Sequence, residues 1–337
     1  RWVNERHAIY IRKSIRAGVD PGTLHVPPDA DLEECDPEHF AVRPEGLLTA
    51  DPALAAYSFC NVFRELDRVT QWIDRNIRQP FADHPDLWLM LAVARTINWP
   101  GTLQFLMNRG PVKCDFNAWP NDLPHLAFSP EALGDALDHW SALGQKVYTG
   151  AYMIRAASGR EPWGHWTKQQ YIARIVIGRL WVDRARWRNI LDTAEERSEA
   201  RTNPAWPTLE GVWQAFQEPR YIGWGPFMAY QVVVDMRHTR YLRRAKDINT
   251  WAALGPGSRR GLNRLAGRPL GYNLRQADGL EEMKALWAEQ DAHRAPWVPP
   301  IELSDIQNCL CETDKWIRAT TGEGRPRSKY APGRNPF

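Results

Sequence analysis

The chain has 337 residues, of which 43% are hydrophobic and 25% charged, and a formal net charge of +3. That is enough for one large domain or two modest ones, with a core that needs no staples. The composition is that of a globular protein and excludes a disordered chain, a coiled coil and a fibre. The longest apolar run, Leu87 to Ala94, is far short of the ~20 residues a membrane span requires. No leader-like segment opens the chain, and Arg1 in place of Met points to a missing or processed N-terminus. Cysteines 35, 60, 114, 309 and 311 are scattered and odd in number. They argue against a disulfide framework and for a reducing cytosol. Cys309 and Cys311 are too close in sequence for a zinc knuckle.

In chain order, residues 1–50 are rich in Pro, Asp and Glu and read as an extended arm with one helix near Arg6 to Arg16. Asp51-Pro52 opens a helix whose spacing places Phe59, Val62, Phe63, Leu66, Val69 and Ile73 on one face. Leu87 to Ile97 predicts a buried helix ended by Trp99-Pro100-Gly101. Ser129-Pro130 caps another, running to about Leu143. Thr167 with Gln170 forms a capping box for a long helix carrying Ile172, Ile175, Val176, Leu180 and Trp187. Thr208 opens a short helix closed by Pro219, and the next runs from Pro226 to Met236. Ser258 caps a helix ending near Gly267, Gly279 to Gln290 is another, and Ser304 with Gln307 caps the last. Only Val147 to Ile154 offers short strand edges. The expected class is all-α, or mainly α. It would form one helical unit over 51–320, with an N-terminal arm over 1–50 and a basic tail over 321–337.

Charge is unevenly distributed. From Arg237 to Arg275 there are ten Lys or Arg against Asp247 alone, and from Lys315 to Arg334 six against Glu323. Such blocks suit a phosphate-binding face, although a solvated basic surface looks the same. Seventeen tryptophans supply core and also platforms for unstacked bases.

Standard catalytic motifs are absent: the sequence has no GxxxxGK[ST], HExxH, GxSxG, strand-borne GxGxxG or deaminase zinc motif. The best local signal is Tyr221 to Asp235, where Gly223-Trp224-Gly225 joins two helices as in a helix-hairpin-helix. The glycines permit a tight turn, and the N–H groups at the next helix start can hold a DNA phosphate without reading sequence. A helix corner with no ligand is the plainer alternative. Asp235 and Asp247 follow the hairpin and are the candidate catalytic carboxylates, able to accept a proton from an amine or water. Each could instead pair with a nearby Arg. Gly255-Pro-Gly-Ser-Arg-Arg260 puts Ser258, Arg259 and Arg260 at a helix start. That arrangement suits phosphate or pyrophosphate, and two arginines there run against the helix dipole. Arg64, Asp67 and Arg68 fall on one helical face and could line a polar cleft or form a surface ion pair. Asp305, Glu312 and Lys315 share the last helix.

Four segments in this order resemble the α-glutamyl/putrescinyl thymine pyrophosphorylase family of bacteriophages. They are Asn61 to Thr70 (NVFRELDRVT), Gly225 to Gln231 (GPFMAYQ), Gly255 to Leu262 (GPGSRRGL) and Asp305 to Lys315 (DIQNCLCETDK). The same helical module is found in phage 5-hydroxymethyluracil DNA kinases, beside a P-loop domain that this sequence lacks. The resemblance implies a helical fold similar to helix-hairpin-helix DNA glycosylases, in the cytoplasm of an infected bacterial host. It implies replacement of pyrophosphate on 5-pyrophosphoryloxymethyl-deoxyuridine in DNA by an amine, from an amino acid such as glycine or glutamate or from putrescine. On that reading Ser258, Arg259, Arg260 and Arg64 bind pyrophosphate, Gly223, Trp224 and Gly225 contact DNA, and Phe227, Tyr230 and Gln231 line the base pocket. Asp247 or Asp235 is the base, while Asp67 and Lys315 complete a polar cleft in which Lys315 could clamp a carboxylate. No cofactor is firmly implied, although a divalent cation could accompany pyrophosphate, and no membrane is involved. A DNA glycosylase, a kinase subunit and a non-enzymatic DNA-binding protein are the rival readings.

Overall fold

A computed structural model describes residues 1–30, 32, 48–107, 128–150, 154–191, 207–324 and 329–330. Cys35, Cys114 and much of the basic tail lie outside these residues, as do 151–153 of the expected strand edge. The described residues form helices and turns with no strand, and one isolated bridge joins Tyr57 to Lys329. The protein is therefore mainly helical.

The helices are α1 (Trp2–Arg16), α2 (Pro52–Ala56), α3 (Arg68–Ile73), α4 (Leu87–Ile97), α5 (Pro100–Met107), α6 (Pro130–Ala142), α7 (Lys168–Tyr171), α8 (Gly178–Val182) and α9 (Arg184–Leu191). They continue with α10 (Leu209–Phe216), α11 (Pro226–Arg237), α12 (Pro256–Leu265), α13 (Gln276–Ala288), α14 (Gln290–His293) and α15 (Leu303–Thr321). Their starts follow the expected chemistry where a hydroxyl or carboxylate can take the orphan N–H groups of the first turn. Asp51 Oδ1 accepts from Ala53 and Leu54 N–H, Ser129 Oγ from Ala132, and Thr167 and Thr208 Oγ1 from Gln170 and Gly211.

Two caps differ from expectation. Ser258 lies inside the first turn of α12, which begins two residues earlier at Pro256, and its Oγ accepts from Gly255 N–H at 3.0 Å. Ser304 is buried inside α15, whose N-cap is Glu302. Nor does α4 stop at Trp99-Pro100: left-handed Asn98 (φ 47°) ends it, and Pro100 opens α5. The long Thr167 helix is divided by a π-helical stretch, Ile172–Ile177, before α8.

The chain divides into two compact units, one of residues 1–67 with 248–337 and the other of residues 68–247. This differs from the single unit over 51–320 that the lack of a linker suggests. The described start of the chain is not a separate arm, because α1 buries Trp2, Ala8 and Ile11 and touches α15. In the first unit α15 is the hub, packed on α12 most extensively and also on α13, α2 and α1. The α12–α15 approach requires a residue without Cβ, since a Cβ at Gly261 would stand 2.4 Å from the Leu310 carbonyl oxygen.

In the second unit the fully buried α4 packs on α11, and α11 on α10. Trp88 and Trp187 stack with centroids 5.0 Å apart, and Phe216 packs 4.3 Å from Trp187 and 5.0 Å from Trp224. Much of the tryptophan content is thus core.

Candidate active site

The segment from Tyr57 to Asp67 does not continue α2. Its apolar spacing fits a helix, but its backbone donors are taken by carboxylates instead. Cys60 N–H donates to Glu312 Oε2 at 2.9 Å, Asn61 N–H to Asp67 Oδ1 at 2.7 Å, and Arg64 N–H to Asp305 Oδ1 at 3.0 Å. The Asn61 side chain closes the loop on the Leu66 carbonyl at 2.6 Å. A bond to an ionised carboxylate is stronger than the neutral helical bond it replaces. Arg64–Leu66 is left as a single 3-10 turn, and the expected i, i+3 and i, i+4 relation of Arg64, Asp67 and Arg68 on one continuous helix is not formed.

Residues 305, 308, 312 and 315 recur on one face of α15. Asp305 and Glu312 hold the loop as above, Asn308 donates to the Asn61 carbonyl at 3.1 Å, and Lys315 donates to the Ser58 carbonyl at 2.8 Å and to Glu312 at 3.0 Å. Arg6 of α1 adds bonds to the Cys60 and Phe59 carbonyls at 3.0 and 3.3 Å. Two of the sequence segments, separated by some 240 residues, thus build one buried polar cluster in the first unit. Of the sequence-predicted residues it gathers Arg64, Asp67 and Lys315.

Burial controls the electrostatics. It pushes the Asp305 carboxyl up to about 7, against the pull of the Arg64 N–H bond and guanidinium, and with a further push from Glu302 and Glu65. Asp67 is also raised by burial, although Asn61 N–H, Arg64 and Arg6 oppose it. The Cys60 and Cys309 thiols are driven well up by burial, which keeps them protonated and poor nucleophiles. Next to the Arg64 turn, Phe63 packs edge-on to His25 and His7, at 4.4 and 5.2 Å. Burial lowers His7 to about 3, so it is neutral at physiological pH. The cluster thus sets the side chains of Arg6, Arg64 and Lys315 among the carboxyl groups of Asp67, Asp305 and Glu312.

Among the described residues no three His, Cys, Asp or Glu side chains form a metal-holding group.

The candidate pyrophosphate residues of α12 take different positions. Ser258 is fully buried, and its hydroxyl is saturated by Gly255 N–H, the Gly255 carbonyl and Gln307 Nε2. It shapes the turn and offers nothing to a ligand. Arg260 donates to Asp314 at 3.2 Å while remaining 39% exposed, so part of its fork is open to solvent. Arg259 is half-buried and makes none of these bonds.

The hairpin forms in the second unit. Gly223 has φ +90°, and a Cβ there would stand 2.9 Å from Val176 Cγ2, so both conformation and space require glycine. Gly225 is the N-cap of α11, before Pro226, and offers it no side-chain cap. Trp224, expected to contact DNA, is only 2% exposed and donates Nε1–H to the Val176 carbonyl at 3.0 Å, so it is core. Tyr230 and Gln231 are likewise buried, and only Phe227 of the expected base pocket is exposed, at 42%.

Both predicted catalytic aspartates have structural positions. Asp235 is 1% exposed and takes a two-pronged bond from Arg95, at 2.5 and 2.6 Å, while Arg95 also reaches Thr70 and Asn98. Asp247 accepts Leu209 and Glu210 N–H at 2.9 and 3.0 Å and so caps α10. Neither presents an unoccupied oxygen. Sequence reasoning places Asp305 at a helix start and goes no further; the available signal was the one-face spacing of 305, 308 and 312 beside a second polar segment.

Searches of curated proteins and of solved structures returned no match. A family model described as "5-hmdU DNA kinase, helical domain" matches residues 39–325, which include all four segments singled out in the sequence. Matched over most of its length, the chain belongs to the family of 5-hmdU DNA kinase helical domains.

Proposed function

We propose that this chain is a transferase that replaces the pyrophosphate of 5-pyrophosphoryloxymethyl-deoxyuridine in DNA with an amine. The amine would come from an amino acid such as glycine or glutamate, or from putrescine. The family ties the chain to chemistry on 5-hydroxymethyluracil in DNA, and the sequence itself holds no GxxxxGK[ST] for phosphorylating that base.

The observation that carries the reading is Asp305: a buried carboxyl pushed to about 7, beside Arg64 in a cluster built from two distant segments. An amine arrives as ammonium and must lose a proton to become a nucleophile. A base that titrates near neutral pH is matched to that task. The nitrogen bonds to the base's exocyclic methylene carbon, the carbon–oxygen bond breaks, and pyrophosphate leaves with the electron pair. Asp305 takes the nitrogen's proton. Arg64 would stabilise the charge gathering on the leaving group. In the second unit, the hairpin at Gly223–Gly225 would hold a backbone phosphate.

The test is release of inorganic pyrophosphate from DNA carrying the modified base. Transfer requires that release to depend on added amine, whereas release in buffer alone would indicate hydrolysis. The family description also favours a second reading, a helical component of a hydroxymethyluracil DNA kinase that works with a separate nucleotide-binding part. ATP-dependent phosphorylation of 5-hydroxymethyluracil DNA on adding that part would identify it.

A further inference from the structure

Residues 314 and 318 fall on the side of α15 opposite Asp305, and there an arginine group forms that the proposed reaction does not use. The buried Asp314 gathers three guanidiniums. Arg260 Nε and Arg318 Nε stand 3.2 and 3.1 Å from its Oδ2, and Arg264 Nε donates to its Oδ1 at 3.1 Å. All three meet the carboxylate through Nε, which leaves their terminal nitrogens for other partners.

Arg264 shows what such nitrogens take. Left-handed Gly322 (φ 77°) ends α15, and the next residue, Glu323, turns back so that its Oε1 and Oε2 accept from Arg264 Nη1 and Nη2 at 3.1 and 2.8 Å. The Arg264 fork, aided by Thr321 Oγ1 and by the nearby Arg260, holds the Glu323 carboxyl below the usual carboxylate range. Glu323 is exposed, and an ion pair so open to water holds weakly. Arg318 Nη1 lies 3.8 Å from where a Cβ on Gly324 would stand, so it borders the same turn. Among the described residues no acceptor meets the terminal nitrogens of Arg260 or Arg318, and both side chains reach solvent. Three cations here share the two carboxylates Asp314 and Glu323.

We infer that Arg260, Arg264 and Arg318 form a seat for a backbone phosphate of DNA, and that the Glu323 carboxylate occupies this seat until the phosphate displaces it. A phosphodiester offers guanidinium forks two anionic oxygens, as the Glu323 carboxylate does. A polyanion is favoured over a lone anion by the sequence that follows. Residues 324–337 hold Arg325, Arg327, Lys329 and Arg334 and no acid, and several cations together gain from DNA by counterion release. The inference rests on DNA as the partner of this family and not on amine transfer.

The test is a titration of the full chain with labelled, unmodified DNA, single-stranded and duplex, between about 50 and 200 mM salt. Arg260→Ala and Arg318→Ala should each weaken binding about tenfold and lower the slope of log affinity against log salt by about 1. Arg275→Ala, which removes an exposed arginine of the same unit, should change both less. Glu323→Gln should tighten binding severalfold, and more than Glu281→Gln, which neutralises another exposed carboxylate of that unit. Asp314 keeps two cations in either arginine variant, and thermal melts confirm that each variant is folded. Unchanged affinity and slope in a folded Arg260→Ala and Arg318→Ala, a Glu323→Gln no tighter than Glu281→Gln, or no DNA binding by the wild type would overturn the seat. The transfer assay separates the two readings. DNA binding through these arginines without amine-dependent pyrophosphate release removes the transferase and leaves the seat. Amine-dependent release with DNA affinity unmoved by the arginine variants removes the seat and leaves the transferase.

Discussion

At the residue scale, Asp305 is the group on which the proposed chemistry turns. Its carboxyl, about 7 when folded, has an ordinary value of 3.8. In the proposed reaction the base is the carboxylate, so kcat should rise with pH through about 7 and then level off. Asp305→Asn should lower kcat by about 10²–10⁴ and leave DNA affinity intact; single-turnover rates on modified DNA and a DNA titration check the two parts. The stability sign is the opposite of a salt-bridged aspartate. Burial favours the neutral acid, so the stabilising contribution is full below the unfolded value and is lost as pH rises through about 7. Asp305→Asn should therefore be more stable than wild type at pH 8, by about 2–4 kcal/mol, with the gain shrinking toward pH 4. Denaturant melts at the two pH values measure it. Asp235 should behave differently. Asp235→Ala removes the two-pronged carboxylate partner of the buried Arg95 and should destabilise the fold by about 3–5 kcal/mol, seen as a shifted denaturation midpoint. Residue identity could suggest Arg64, Asp67 and Lys315 as functional, but not Asp305 as a base. That property comes from burial against a loop 240 residues away, which no local window contains.

At the element scale, local chemistry was legible wherever a local group decides the outcome. The caps at Asp51, Ser129, Thr167 and Thr208 and the continuous apolar run of α4 are such cases. The stretch after Ala56 was not, because its helical apolar spacing is overridden by Glu312, Asp67 and Asp305 taking its backbone N–H groups. Tertiary hydrogen bonds outweighed propensity there. The hairpin was legible from its glycines, yet Trp224 reads as an exposed stacking residue until its indole is seen donating into the π-helical stretch. Asp247→Ala removes the acceptor for two N–H groups of α10 and should cost about 1 kcal/mol, with no loss of chemistry in the folded fraction. Gly261→Ala would drive a Cβ onto the Leu310 carbonyl where α12 meets α15. It should cost about 1–3 kcal/mol, read as a lowered melting temperature.

At the scale of the whole molecule, the mainly helical class followed from periodicity and caps. The division into two units did not, since the first unit is closed by the chain's return at Ile248 rather than by any linker. Among the described residues no helix is long and apolar enough to cross a membrane. The basic blocks keep exposed members at Arg243, Arg244 and Lys246. If they touch DNA phosphates, Arg244→Ala and Lys246→Ala should each reduce the slope of log affinity against log salt by about 1. The family match and the Asp305 cluster together make amine transfer to a pyrophosphorylated base the central claim. Its most direct test is to incubate the purified chain with DNA carrying 5-pyrophosphoryloxymethyl-deoxyuridine and a pool of amino acids and polyamines, digest to nucleosides, and read the masses. The account predicts a thymidine–amine adduct formed one-for-one with released pyrophosphate, and none with Asp305→Asn. Recovery of the starting nucleoside unchanged, or of a free base, would contradict it.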